Sequence, residues 1–389
     1  MFIIVLTFKK KDYNKKTKKM KFSTSKTELQ QALQKLSKAT PIRSTLPILS
    51  CVLVNVDEKK TILKTTDLEI TIEVEIASSF EEIGSAAIPL KTLFEITNEL
   101  PETRLTISVD KKGRVTIKTD FGVYDLMSKM AEEFPVTPKQ TNKTTLRVPG
   151  VVLKQIIEST LFAVSKDELK PALTGVLFQF SKDGFTAVST DGHRLVKYTR
   201  KDFQTKNLNG EVIVPRKFLS YLLNQLTDNE MTLTLGENHL TAELEKNKIL
   251  TKIIDEKFPD YNSVIPKENN KVFTVEKNVL LGAIRRVSIF SNKSTHQVAL
   301  SLNKMECFIT TEDPEKSSKA KEEISGDFQG DEIKIGYNAE YLKDIVSHTP
   351  GSTISIELNN PVSAALFGNK DKDNNISCLM LLMPIRLND

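Results

Sequence analysis

Asp191 and His193, two residues apart and followed directly by Arg194, form the place in this 389-residue chain where residue types and spacing would suit acid–base chemistry. On a strand their side chains would share a face, and an acid beside an imidazole is part of a hydrolytic apparatus. The rest of that apparatus is missing from the sequence. A dyad needs a nucleophile or a metal beside it. The four histidines (His193, His239, His296, His348) show no H-x-x-x-H or H-E-x-x-H spacing, the three cysteines (Cys51, Cys307, Cys378) form no C-x-x-C pair, and no G-x-x-x-x-G-K-[ST] phosphate loop occurs. The same acid recurs as Asp67, in Thr66-Asp67, without a histidine after it. Recurrence without the partner favours a turn aspartate that accepts hydrogen bonds from nearby backbone N–H groups. A hydrolase centred on Asp191 and His193 is the alternative reading. The preferred one has no catalytic residue, no metal site and no cofactor.

The elements that would position these residues are written three times. Phe22, Leu146 and Phe273 open three segments, with Leu29, Leu153 and Leu280 at the seventh residue after each and Leu33, Ile157 and Ile284 at the eleventh. Thr65-Thr66-Asp67, Ser189-Thr190-Asp191 and Thr310-Thr311-Glu312 follow, and Phe134-Pro135, Phe258-Pro259 and Met383-Pro384 close the segments. A period this long is a whole domain, not a solenoid unit. Each copy contains two similar halves of one strand, one helix and more strands. Leu29, Leu33 and Leu36 fall on one helical face, as do Leu93, Ile96 and Leu100 in the second half. Thr71–Ile76 alternates as a half-buried strand. Leu46–Val54 and Leu173–Phe178 also read as β. The charge-rich stretches Glu312–Glu323 and Asn369–Asn375 read as solvated loops. The fold class is α+β, with antiparallel strands joined by short polar turns.

Composition bounds the function further. Residues 1–19 hold seven lysines and one aspartate, so the formal charge of +5 belongs to this leader and the remainder is near neutral. Any nucleic-acid contact in the body must then come from where its charges sit. The leader runs apolar, then basic, the reverse of a secretory signal. Three readings stay open: an over-long start with Met20 the true beginning, a basic arm on nucleic acid, or a weak membrane anchor. Scattered cysteines suggest a reducing cytoplasm. No apolar run is long enough to span a bilayer.

From Met20 to Leu387 the chain resembles the bacterial DNA polymerase III beta subunits, the sliding clamps. The resemblance is carried by Thr45-Leu46-Pro47-Ile48-Leu49, Thr66-Asp67-Leu68-Glu69, Thr190-Asp191-Gly192-His193-Arg194-Leu195, Val214-Pro215-Arg216-Lys217, Phe258-Pro259-Asp260-Tyr261 and Met383-Pro384-Ile385-Arg386-Leu387. It implies three tandem clamp domains (20–143, 144–270, 271–389), each with two helices facing a central hole and antiparallel sheets outside. A head-to-tail homodimer would close the ring around double-stranded DNA, held without sequence reading by a nucleoid-associated cytoplasmic protein. Lys26, Lys35, Lys38, Arg43, Lys154, Lys170, Arg285 and Arg286 would attract the duplex. The resemblance also implies a pocket for a Gln-Leu-x-Leu-Phe-like motif on the polymerase III alpha subunit, the clamp loader and repair proteins. Its walls would be Leu173, Thr190, Gly192, His193, Arg194, Leu195, Pro259, Val264, Val362, Met383, Pro384, Ile385, Arg386 and Leu387. Ser263 stands where many relatives have Arg, and Ala364 where Ser is common, which implies an altered motif preference. Asn388-Asp389 would sit at the pocket mouth.

Overall fold

The computed structural model describes residues 19–41, 43–138, 141–203, 209–369 and 375–387. The readings made for leader residues 1–18, for most of Asn369–Asn375 and for Asn388-Asp389 fall outside these. The chain divides into two compact units, residues 1–141 with 241–251, and residues 142–240 with 252–389.

Unit 1 carries helices α1 (Lys26–Leu36) and α2 (Leu90–Glu99). Ser25 caps α1 by accepting from the Glu28 N–H at 3.1 Å. The Glu28 carboxylate, which could complete a capping box, instead accepts from the Ala77 N–H at 2.9 Å and ties the helix to the end of a strand. Leu29, Leu33 and Leu36 are fully buried, as the spacing predicts. One antiparallel sheet has the order Ser79–Glu82, Met20–Ser25, Arg104–Val109, Arg114–Lys118, Val123–Met127. In another, Ile70–Ile76 lies between Thr61–Thr66 and Asn247–Lys252. Ile70, Ile72, Val74 and Ile76 turn inward, with Glu75 in solvent.

Unit 2 carries α3 (Gly150–Thr160), α4 (Arg216–Leu223), α5 (Lys277–Ser288) and α6 (Ala339–His348). Helices α2, α3 and α4 each start where a strand ends in proline: Pro89, Pro149 and Pro215. Proline has no N–H for the ladder and fixes φ, so one residue both ends the strand and sets the helix entry. The sheet of nine strands runs through the second and third repeats without a break, because Arg194–Arg200 pairs with Ile376–Leu382, Val196 opposite Met380.

The repeats join by one rule. The strand that follows the Thr-Asp turn of one repeat pairs with the last strand of the next: Ile70–Ile76 with Asn247–Lys252, and Arg194–Arg200 with Ile376–Leu382. The corresponding strand of the third repeat, Ser318–Glu323, and the last strand of the first, Val123–Met127, each end their sheets among the described residues.

Three local expectations are corrected. Pro47–Ser50 and Pro171–Thr174 are 3-10 turns, and the strands begin after them at Cys51 and Gly175. Leading prolines deny the first residues a ladder donor. Glu312–Glu323 is not a loop excursion, since Cys307–Asp313 and Ser318–Glu323 form a hairpin through Pro314–Lys316. Its outer strand reads as charged because Lys319, Lys321 and Glu323 alternate onto the solvent face. Asp191 and His193 do not share a strand face. They lie in a turn that precedes the strand starting at Arg194.

Candidate functional site

The turn at Asp191 is built by its own side chains. One Asp191 carboxylate oxygen accepts from the His193 and Arg194 N–H groups at 2.9 and 3.0 Å. The Thr190 hydroxyl donates to the Arg194 carbonyl at 2.7 Å and accepts from the Gly192 N–H at 3.1 Å. Gly192 takes φ +91°, which glycine adopts without steric cost. Asp67 repeats the scheme, accepting from the Glu69 and Ile70 N–H groups. The acid that suggested catalysis is therefore a turn former in both copies.

Arg194, directly after this turn, is buried, and its guanidinium is fully engaged. Nε donates to Asp191 at 3.0 Å, Nη1 to Asp344 of α6 at 2.7 Å, and Nη2 to the Phe162 carbonyl at 2.8 Å. It also lies over two rings, with the central carbon 5.3 Å from the Phe162 centroid and 4.8 Å from that of Tyr341. His348 stacks on Phe162 at 3.9 Å and His193 on Tyr341 at 5.5 Å. Pairwise contacts thus link His348, Phe162, Arg194, Tyr341 and His193 in one chain of rings about the guanidinium. A planar cation that also forks to two carboxylates is what guanidinium supplies and an ammonium does not. Tyr341, Asp344, Phe162 and His348 escaped the sequence reading, because the contacts are made across separations such as the 150 residues between Arg194 and Asp344.

The C-terminal tail lies against this turn. The Met383 N–H donates to the His193 carbonyl at 2.8 Å and the Ile385 N–H to the Gly336 carbonyl at 2.9 Å. Gly336 is required there, since a Cβ would lie 2.6 Å from the Leu387 side chain and 2.7 Å from the Ile385 carbonyl oxygen. Beneath the surface, Leu177, Val188, Leu195, Ile213, Phe258, Tyr261, Ala364 and Leu381 form one apolar cluster, with Leu173 packed on it. Val264, Val362 and Met383, each close in sequence to a member of that cluster, are 52%, 63% and 40% exposed. Pro259 and Arg386 are exposed, and Pro384, Ile385 and Leu387 half-buried. Leu195, Thr190 and Arg194 are buried. Ala364 belongs to the floor, and the exposed Ser263 donates to the Asp260 carbonyl.

The basic residues fall in both units. In unit 1, Lys26 donates to Gln30 at 2.7 Å on α1, Lys35 is half-buried, and Lys38 and Arg43 are exposed. In unit 2, Lys154, Lys170, Arg285 and Arg286 are exposed. Arg286 is already paired with Glu322, which lowers the acid's pKa. Among the described residues, no group of three or more His, Cys, Asp or Glu could hold a metal, and no helix is long and apolar enough to cross a membrane.

Three family models match in order: the DNA polymerase III beta subunit N-terminal domain over residues 20–138, its central domain over 147–260 and its C-terminal domain over 262–386. The beta sliding clamp of Pseudomonas putida is 31% identical over 373 residues, covering 95% of this chain and 100% of the relative. That of Chlamydia pneumoniae is 28% identical over 371 residues, with the same coverage. Among solved structures, the sliding clamp of Pseudomonas aeruginosa bound to griselimycin superposes with a TM-score of 0.88 at 28% identity, over 95% of this chain and 100% of that one. The Bacillus subtilis clamp gives a TM-score of 0.90 at 25% identity with the same coverage.

Proposed function

The chain belongs to the bacterial DNA polymerase III beta subunit family, the sliding clamps, and on that premise we propose how it works: as a head-to-tail dimer that encircles DNA and offers the surface at His193 and Met383 to partner peptides. The family is a non-catalytic processivity subunit, so the chemistry to account for is retention and recruitment.

The carrying observation is the pairing rule between repeats. Two junctions are satisfied within the chain, and the two strands that would make a third, Ser318–Glu323 and Val123–Met127, are open edges among the described residues. A second copy, placed head to tail, would pair each edge with its complement and close a ring of six modules. Unpaired edges are a liability unless covered. Beside Ser318–Glu323, the hydroxyl of Ser318 donates to the Phe290 carbonyl at 3.3 Å, and Ile289 next to it is 77% exposed. An aliphatic side chain left in water at a sheet edge suits an interface.

A ring retains DNA by topology, so its electrostatic attraction can stay weak and nonspecific, which permits sliding. Lys26, Lys35, Lys38, Arg43, Lys154, Lys170 and Arg285 would supply it, together with Arg286, which is paired with Glu322. At the pocket, a Gln-Leu-x-Leu-Phe-like segment of a polymerase, clamp loader or repair protein would bury two apolar anchors against Val264, Val362, Met383 and Leu173. At about 1.5–3 kcal/mol for each buried side chain, less the cost of association, such a site binds partners reversibly and lets them exchange. The setting would be the cytoplasm, at the nucleoid.

The test is loading the protein onto a nicked DNA circle and then linearising it. Retention on the circle with loss from free ends is expected. Equal retention on both forms would overturn the ring.

A further inference from the structure

We propose that Asp344 is a positioning residue for the peptide pocket, one that no peptide touches. The inference rests on the pocket reading above. Asp344 grips this group of rings at two points. Its carboxylate accepts from Arg194 Nη1 at 2.7 Å, and its main-chain carbonyl lies 2.8 Å from His348 Nδ1. His348 stacks on Phe162, whose own carbonyl accepts from Arg194 Nη2, so the circuit returns to its start.

Arg194 already has a carboxylate partner in Asp191, and one acid is enough to neutralise a guanidinium. The second acid adds direction: with Nε, Nη1 and Nη2 each assigned an acceptor, the plane of Arg194 can lie only one way. That plane sets the wall on both sides. Tyr341, three residues before Asp344 on the same face of α6, packs against Arg194 and also against His193. On the other branch, Asp191 forms the turn whose His193 carbonyl accepts the Met383 N–H. One carboxylate from the third repeat thus registers the pocket wall of the second repeat against the tail of the third. Preorganisation of this kind raises affinity by removing ordering costs from the binding step.

The experiment uses the full chain and a fluorescent Gln-Leu-x-Leu-Phe peptide, followed by anisotropy. Asp344→Asn keeps size and polarity but loses the charge-assisted bond, and is expected to raise Kd about tenfold. Asp344→Glu restores the carboxylate and should recover most of the affinity. Amide exchange at Met383 should quicken in the Asn variant and not in the Glu variant. A second variant, Phe162→Leu, removes one ring of the group without altering charge and should weaken binding in the same direction. A merely structural ion pair would lower the melting temperature while leaving the folded protein's Kd and Met383 exchange unchanged. That result would overturn the proposal with the pocket reading intact. A wild-type chain that fails to bind the peptide would overturn both.

Discussion

Leu68 and Gly192 occupy the same place in two copies of one turn, and only glycine suits it. Leu68 sits at φ +79°, where a Cβ crowds the following carbonyl, and its side chain is exposed, so no burial compensates. Leu68→Gly is therefore expected to stabilise the protein by up to about 1 kcal/mol, the relief of left-handed strain offset in part by glycine's greater unfolded entropy. A rise in the thermal midpoint checks it, and a fall would mean that Leu68 makes a contact worth more than the strain. The turn role of Asp67 and Asp191 could be read from the sequence, because an acid that recurs without its histidine cannot be serving that histidine. The burial of Arg194 could not, because two of its three acceptors, Phe162 and Asp344, lie far away in sequence.

The elements follow from local signals where those are strong. Ser25 and Asn338 accept from N–H groups in the first turns of α1 and α6, and apolar spacing fixes which helix faces are buried. The signals mislead where a proline interrupts a β-rich stretch, as at Pro47 and Pro171, and where a strand alternates charged residues onto its solvent face, as at Ser318–Glu323. Gly336 shows an element serving a site remote in sequence. It is a strand residue whose missing side chain makes room for Ile385 and Leu387. Gly336→Ala is expected to shift the tail and weaken peptide binding by roughly tenfold, with little change in dimer formation. An unchanged anisotropy titration would show that the tail accommodates the methyl group.

At the scale of the whole molecule, the proposed ring would close through the two edge strands and Ile289. Replacing Ile289 with Asp places a charge where the proposed seam excludes water, and an unpaired buried charge is costly. Ile289→Asp should shift the species seen by sedimentation velocity from dimer to monomer at low micromolar concentration, without loss of fold, since Ile289 is exposed in the single chain. An unshifted dimer would place the seam elsewhere. DNA retention should fall with the dimer, because in the proposed ring each chain supplies half of the circle.

The sequence alone determined the triplication, the helix faces, the turn aspartates and the family resemblance, because each is carried by residues near one another in the chain or by their repetition along it. Tertiary structure decided which repeats share a sheet, how the tail meets the His193 turn, and that Arg194 is a buried cation lying over two rings and paired with Asp344. Those outcomes depend on which distant strands and side chains meet in space. Hydrogen bonds and ring contacts act over a few ångströms whatever the separation in sequence, so periodicity and motif leave no trace of them.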